Sequence, residues 1–293
     1  MTAQADNERR PADVRMDPEV RTGPDVREGT DVRTGPDVRE GAEAREAADV
    51  REAGGAPRVL VVQHEDGTGP GLVGEQLVEC GLEQRIVHPW AGEELPGSLA
   101  GYAGLLVLGG APNCEDDEAA PWLPAVRTLV REAVGSGVPL LGICLGGQIM
   151  ASALGGSVVV RKRGPEVGAV PVRRLPAADG DPVFGEVPDG APAAQWHWDE
   201  IGELPPGAVP LLTGDDCLHQ AFRIGERAWG VQFHPEVLGD AVAEWAASDG
   251  PSVAGAGADP LGAVASVREN EPALREIWSR TARAWAAVVH AHA

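Results

Sequence analysis

The sequence predicts an α/β fold, an open and mostly parallel sheet with helices on both faces, and three observations predict it. Apolar runs of strand length alternate with stretches of helical spacing between residues 58 and 156, and such alternation builds parallel sheets. The runs RVLVVQ, GLLVLGG and VPLLGIC are apolar nearly throughout, as strands buried inside a sheet are. The last of them passes straight into the helical CLGGQIMASALGG, a strand-to-helix junction with a nucleophilic side chain at its apex.

Taken in order, the elements start after a different kind of segment. Val14, Val20, Val26, Val32, Val38 and Val50 recur at multiples of six, each followed by Arg, with Ala44 standing once in place of Val. That period matches neither helix nor strand, and Pro and Gly recur between the valines with no aromatic residue. Residues 1–57 are expected to be a disordered, low-complexity hexapeptide-repeat tail. A β-helix would need more inward-facing bulk than one Val per repeat.

The folded domain is expected over 58–248. Its strand at Arg58 is followed by a helix near 71–80, a short strand at Arg85–Val87, the strand ending at Gly110, a helix in PWLPAVRTLVREAV, and the VPLLGIC strand with its helix. The second half reads as strands at Ala169–Arg173, Ala208–Thr213, Cys217–Ile224 and Arg227–Phe233, then a helix over 236–247. A loop from about Asp249 to Gly262 leads to an amphipathic helix, Pro272–Val289, whose stripe of Leu274, Ile277, Trp278, Ala282, Trp285 and Val289 reads as packing on the domain.

The formal charge of −21 disfavours nucleic acid and anionic membrane as partners, because either calls for a basic patch. No secretory leader or run long enough to span a bilayer is present, so a cytoplasmic location is expected. Cys80, Cys114, Cys144 and Cys217 lie far apart, without CxxC spacing; free thiols are expected, with no metal and no cofactor.

Chemistry concentrates in two segments. In Gly142-Ile143-Cys144-Leu145-Gly146 the flanking glycines permit a turn too tight for side chains, leaving Cys144 exposed above the sheet at a helix N-terminus, where positive potential favours a thiolate. A thiol nucleophile needs a base, and His234 in GVQFHPE directly follows a strand. Glu236, two residues on across Pro235, is positioned to orient that imidazole. Gly109-Gly110, at the end of a neighbouring strand, offers backbone N–H groups; Gly110 and Leu145 are the candidate oxyanion donors.

G-I-C-L-G-G-Q and G-V-Q-F-H-P-E together resemble the class I, or triad, glutamine amidotransferases over about residues 58–248, and GGAPNCEDDEAAPWL is similar to a segment of stand-alone proteins related to the glutaminase domain of GMP synthase. The resemblance implies a flavodoxin-like sheet and hydrolysis of the L-glutamine side-chain amide through a γ-glutamyl thioester on Cys144. The ammonia released would go to a separate acceptor, a synthetase partner among them. It also implies that Gln148, with Gly109, contacts the substrate, and that Gln195-Trp196-His197-Trp198-Asp199 lies near the substrate's amino-acid end. The family's Gly-Gly-Pro loop reads Gly109-Gly110-Ala111-Pro112 here, and no P-loop of a synthetase domain is present. A γ-glutamyl hydrolase acting on another amide and a non-catalytic partner-binding subunit are the competing readings. Chaperone or deglycase-like relatives of the fold would leave the His-Pro-Glu segment unexplained.

Overall fold

The computed structural model describes residues 55–293; the valine repeats and their expected disorder lie outside the described residues. The strands are β1 (Arg58–Val62), β2 (Glu83–Val87), β3 (Gly104–Val107), β4 (Leu140–Ile143), β5 (Ser157–Val160), β6 (Glu166–Arg174), β7 (Ala191–His197), β8 (Asp199–Glu203), β9 (Val209–Thr213), β10 (Ala221–Ile224) and β11 (Ala228–Val231). The helices are α1 (Gly71–Glu79), α2 (Leu123–Ser136), α3 (Leu145–Ala153), α4 (Gly239–Ser248), α5 (Gly250–Gly255) and α6 (Pro260–His292). One sheet runs in the order β2-β1-β3-β4-β11-β10-β9-β6-β7, and β5 pairs with β8 in a separate antiparallel ribbon.

The sheet has two halves. From β2 to β11 every pairing is parallel, and from β11 to β7 every pairing is antiparallel. Strand residues alternate between its faces: Val59 and Val61 join the core under α1 and α6, whereas Leu60 and Val62 join the core under α2 and α3. Both faces are thus covered, which is why these strands are apolar without alternation.

Three strands, β5, β7 and β8, escape sequence reading. β7 is APAAQWH, whose Ala and Pro are poor strand formers; its seven-residue register with β6, from Val172↔Ala191 to Glu166↔His197, makes it a strand. β8 is the polar DEIGE, held by β5. The expected loop and the Pro272 helix start are corrected as well. α5 occupies 250–255, and α6 begins at Pro260, with Asp259 capping the Gly262 N–H at 2.9 Å. Pro272 lies inside α6, costing one helical hydrogen bond, but buried Ala263 and Val267 before it and Leu274 and Trp278 after it anchor the helix on both sides. The helix over 236–247 likewise starts later, at Gly239, leaving the His-Pro-Glu segment irregular.

The last helix contributes Leu274, Trp278, Trp285 and Val289 to the core. Trp278 and Trp285 are fully buried, and the Trp278 ring sits 4.6 Å from Phe233 while its indole N–H donates to the Pro192 carbonyl at 3.1 Å. Truncating either tryptophan would cost about 3–5 kcal/mol. Among the described residues, no helix is long and apolar enough to cross a membrane.

Candidate active site

Cys144 ends β4 and caps α3 with φ +49° and ψ −105°, the sole positive-φ residue other than glycine among the described residues. Such a conformation costs about 1–3 kcal/mol and persists only where its surroundings enforce it. They do: the Cys144 N–H donates to Val231 O and its carbonyl accepts from Gln148 N, both at 2.9 Å. A Cβ on Gly142 would come within 2.6 Å of Gly146 O, and one on Gly146 within 2.1 Å of Val107 O. The glycines that suggested an elbow are those the tight turn requires.

His234 follows β11, its N–H bound to Ala194 O at 2.8 Å. Its Nδ1 meets Glu236 Oε1 at 2.7 Å, and Trp245 packs on the ring at 4.8 Å. Burial alone would pull the imidazole down, but the Glu236 carboxylate and then the Cys144 sulfur outweigh it, and His234 is pushed up to about 10. Glu236 is itself fixed through its backbone, whose carbonyl accepts from Leu72 N at 2.9 Å and approaches so near α1 that a Cβ at Gly71 would sit 2.2 Å from it.

These groups open on a cavity of about 460 Å³ at the carboxyl ends of the parallel strands, bordered by Cys144, His234, Gly110, Gln148, Glu65 and Asp199. Gly110 borders the cavity. Leu145 N, at the first turn of α3, is one of the amides a helix cannot satisfy internally. Gly109 lies beneath the imidazole, where a Cβ would be 2.8 Å from His234 Cε1 and 3.6 Å from Cys144 Cβ. Gln148 reaches the cavity, yet its Nε2 is engaged by Asp199 O at 3.0 Å, so it ties the β8 ribbon to α3 and leaves its oxygen to accept.

Several residues of the site were not singled out from sequence. Gln232, fully buried within the GVQFHPE motif, directs its Nε2 to Cys144 Sγ at 3.8 Å. Burial raises Glu65, with the Ala111 amide and His234 opposing. His64 backs Gly110; its Nδ1 accepts from the Trp122 indole at 3.0 Å, and burial pushes the ring down to about 4, keeping it neutral. Trp245 and Asp249 form the outer wall together with Trp196 and Trp198, which belong to the segment expected near the substrate's amino-acid end. Of the residues not singled out, Gln232 left a sequence signal, its place in the motif.

A second Cys-His-Glu group exists. Donor atoms of Glu166, His197 and Cys217 lie within 4.8 Å of one another, a set whose chemistry suits zinc. Its geometry is that of a hydrogen-bonded ion-pair network: His197 Nε2 meets Glu166 Oε2 at 2.9 Å, Gln220 Nε2 donates to the same oxygen at 3.1 Å, and Arg161 lies 3.9 Å away.

With this geometry established, comparison with known proteins is informative. The family model for class I glutamine amidotransferases matches residues 72–242. A GMP synthase (glutamine-hydrolysing) of Xanthomonas oryzae pv. oryzae is 32% identical over 173 residues, 57% of this chain and 31% of its own length. That of Agathobacter rectalis is 32% identical over 136 residues, 46% of this chain and 24% of its own. The chain thus spans about a third or less of the curated relatives it matches. Among solved structures, a glutamine amidotransferase from Thermotoga maritima superposes with TM-score 0.71 at 27% identity, covering 79% of this chain and 98% of its own. One from Methylobacillus flagellatus gives 0.71 at 27%, covering 80% and 95%. The chain belongs to the class I glutamine amidotransferase family, the Cys-His-Glu triad enzymes.

Proposed function

We propose that the protein hydrolyses the side-chain amide of L-glutamine at Cys144 and releases ammonia to a separate acceptor. His234 takes the thiol proton, and the sulfur attacks the amide carbon. The Gly110 and Leu145 N–H groups receive the developing oxyanion. Collapse breaks the C–N bond as His234 protonates the leaving nitrogen, giving ammonia and a γ-glutamyl thioester. Water, deprotonated by His234, then releases glutamate and regenerates the thiol, while Glu236 holds the imidazole and offsets its charge throughout.

The observation that carries this reading is the strained Cys144 facing an imidazole that is pinned by Glu236 and shares its cavity. The group around Cys217 is the weaker candidate for the same chemistry, because that thiol is fully buried and pushed strongly upward by burial, with Glu166 and Glu200 adding to the shift. A synthetase as the ammonia acceptor is supported by the curated relatives, in which the similar stretch is part of a longer glutamine-hydrolysing GMP synthase. Four free cysteines support a cytoplasmic location. Incubation with a diazo-ketone analogue of glutamine, followed by peptide mapping, tests the reading: modification of Cys144 that excess glutamine blocks is expected, and modification of Cys217 instead overturns it.

A further inference from the structure

Outside the triad, the side chain of Gln232 reaches the Cys144 sulfur, and its other contacts decide which end of the amide does so. Gln232 is fully buried just past β11, its backbone N–H donating to Gln220 O at 2.9 Å. Its Oε1 accepts from the Ile201 N–H at 3.3 Å and from Gln148 Nε2 at 3.4 Å. A backbone N–H can only donate, so the end of the amide facing Ile201 is the oxygen. The end left for Cys144 Sγ, 3.8 Å away, is the NH2 group. β8 has β5 as its strand partner on one side, and Ile201 uses Gln232 in place of a strand on the other. Gln148 Nε2 is held in turn by Asp199 O at 3.0 Å. The amide is therefore locked with its donor toward the sulfur.

We propose that Gln232 is a further catalytic residue, a fixed donor that holds negative charge on the Cys144 sulfur. A hydrogen bond to an ionised acceptor is about twice as strong as one to a neutral acceptor, so the contact favours thiolate over thiol and is strongest while charge sits on sulfur. In the reaction proposed above, on which this part of the role rests, that happens twice. When His234 takes the thiol proton, the electron pair stays on Sγ beside the Gln232 N–H; as the sulfur attacks, the charge passes to the carbonyl oxygen and the contact weakens. When water has added to the thioester and the C–S bond breaks, the pair returns to sulfur and meets the same N–H. The titratable groups around the sulfur are His234, with Glu236 behind it, and Glu65, His197, Asp199 and Asp249 along the cavity. None of them is altered by replacing Gln232.

The test follows iodoacetamide modification of Cys144 against pH on the full chain, read by peptide mapping, in wild type, Gln232→Met and Gln232→Glu. Met removes the donor at similar volume. Glu keeps an oxygen for Ile201 and Gln148 but presents a carboxylate to the sulfur. At about pH 6, where ionisation limits the rate, Gln232→Met is expected to react about 10-fold more slowly than wild type, and Gln232→Glu more slowly still. At about pH 9 the Gln232→Met rate is expected to come within about threefold of wild type, because ionisation no longer limits it. A role confined to tying β8 to the core predicts something else: Gln232→Glu at the wild-type rate, and Gln232→Met slowed equally at both pH values. Either result would overturn the proposal, and Gln232→Glu, which keeps the tie, carries the test if Gln232→Met fails to fold. Labelling by the diazo-ketone analogue is scored separately. Its absence on wild type, with the iodoacetamide profile as expected, would overturn the glutamine reading and leave Gln232 as the donor to the sulfur.

Discussion

The two Cys-His-Glu groups of this protein use the same side chains in opposite environments. Cys144, His234 and Glu236 meet at the ends of parallel strands, on an open cavity, with the Cys144 backbone strained and the imidazole held high by its acidic neighbours. Cys217, His197 and Glu166 meet over the antiparallel half, where the thiol is sealed and pushed upward and the carboxylate is committed. Burial pushes Glu166 up, but His197, Arg161 and Gln220 outweigh it and hold it below the usual range. The lesson is that a residue set does not define a catalytic site; access, backbone strain and the protonation each environment permits do.

The largest separation between the two groups is expected from their cysteines. Cys144→Ala should lower glutamine turnover by about 10⁴-fold or more, whereas Cys217→Ala should change turnover by less than about threefold and cost about 1–2 kcal/mol in denaturant unfolding. A catalytic collapse in Cys217→Ala would erase the distinction.

Next in size is Glu236→Gln, expected to lower kcat by about 10- to 1,000-fold. It should also move the alkaline limb of the kcat/KM profile downward from near pH 10, because the carboxylate is the leading cause holding His234 up. The raised imidazole makes a linked prediction for stability. Its contribution is fully present below pH 6.5 and is lost as pH rises through about 10. Unfolding midpoints of wild type should therefore fall across that window, and those of Glu236→Gln should fall less. An unmoved alkaline limb would remove Glu236 from the base's support.

Gly146→Ala should destabilise by about 2–3 kcal/mol, since the new Cβ meets Val107 O, a backbone atom that cannot step aside. Thermal unfolding measures it. The smallest effect is on labelling: iodoacetamide at neutral pH should modify Cys144 and the partly exposed Cys80, sparing Cys217 and also Cys114, which burial pushes up to about 12. Peptide mapping reads the pattern directly.

The elbow glycines, the His-Pro-Glu segment and the apolar parallel strands were legible because each is local. A turn that excludes side chains needs glycine within two residues of its apex, and a strand covered on both faces must be apolar along its whole length. At Gly109 a Gly-Gly pair declares a close approach without saying what approaches; here it is the imidazole.

What the sequence determined by itself was the α/β class, signalled by alternating strands and helices, and the family, signalled by the short motifs around Cys144 and His234. Tertiary structure alone decided that β7 and β8 are strands and that α6 runs through Pro272. It also decided that Gln232 addresses the sulfur and that two tryptophans converge on Asp249 from about fifty residues away. Local sterics leave their mark in neighbouring residues, whereas cross-strand pairing and convergence of side chains depend on distances that no local spacing encodes.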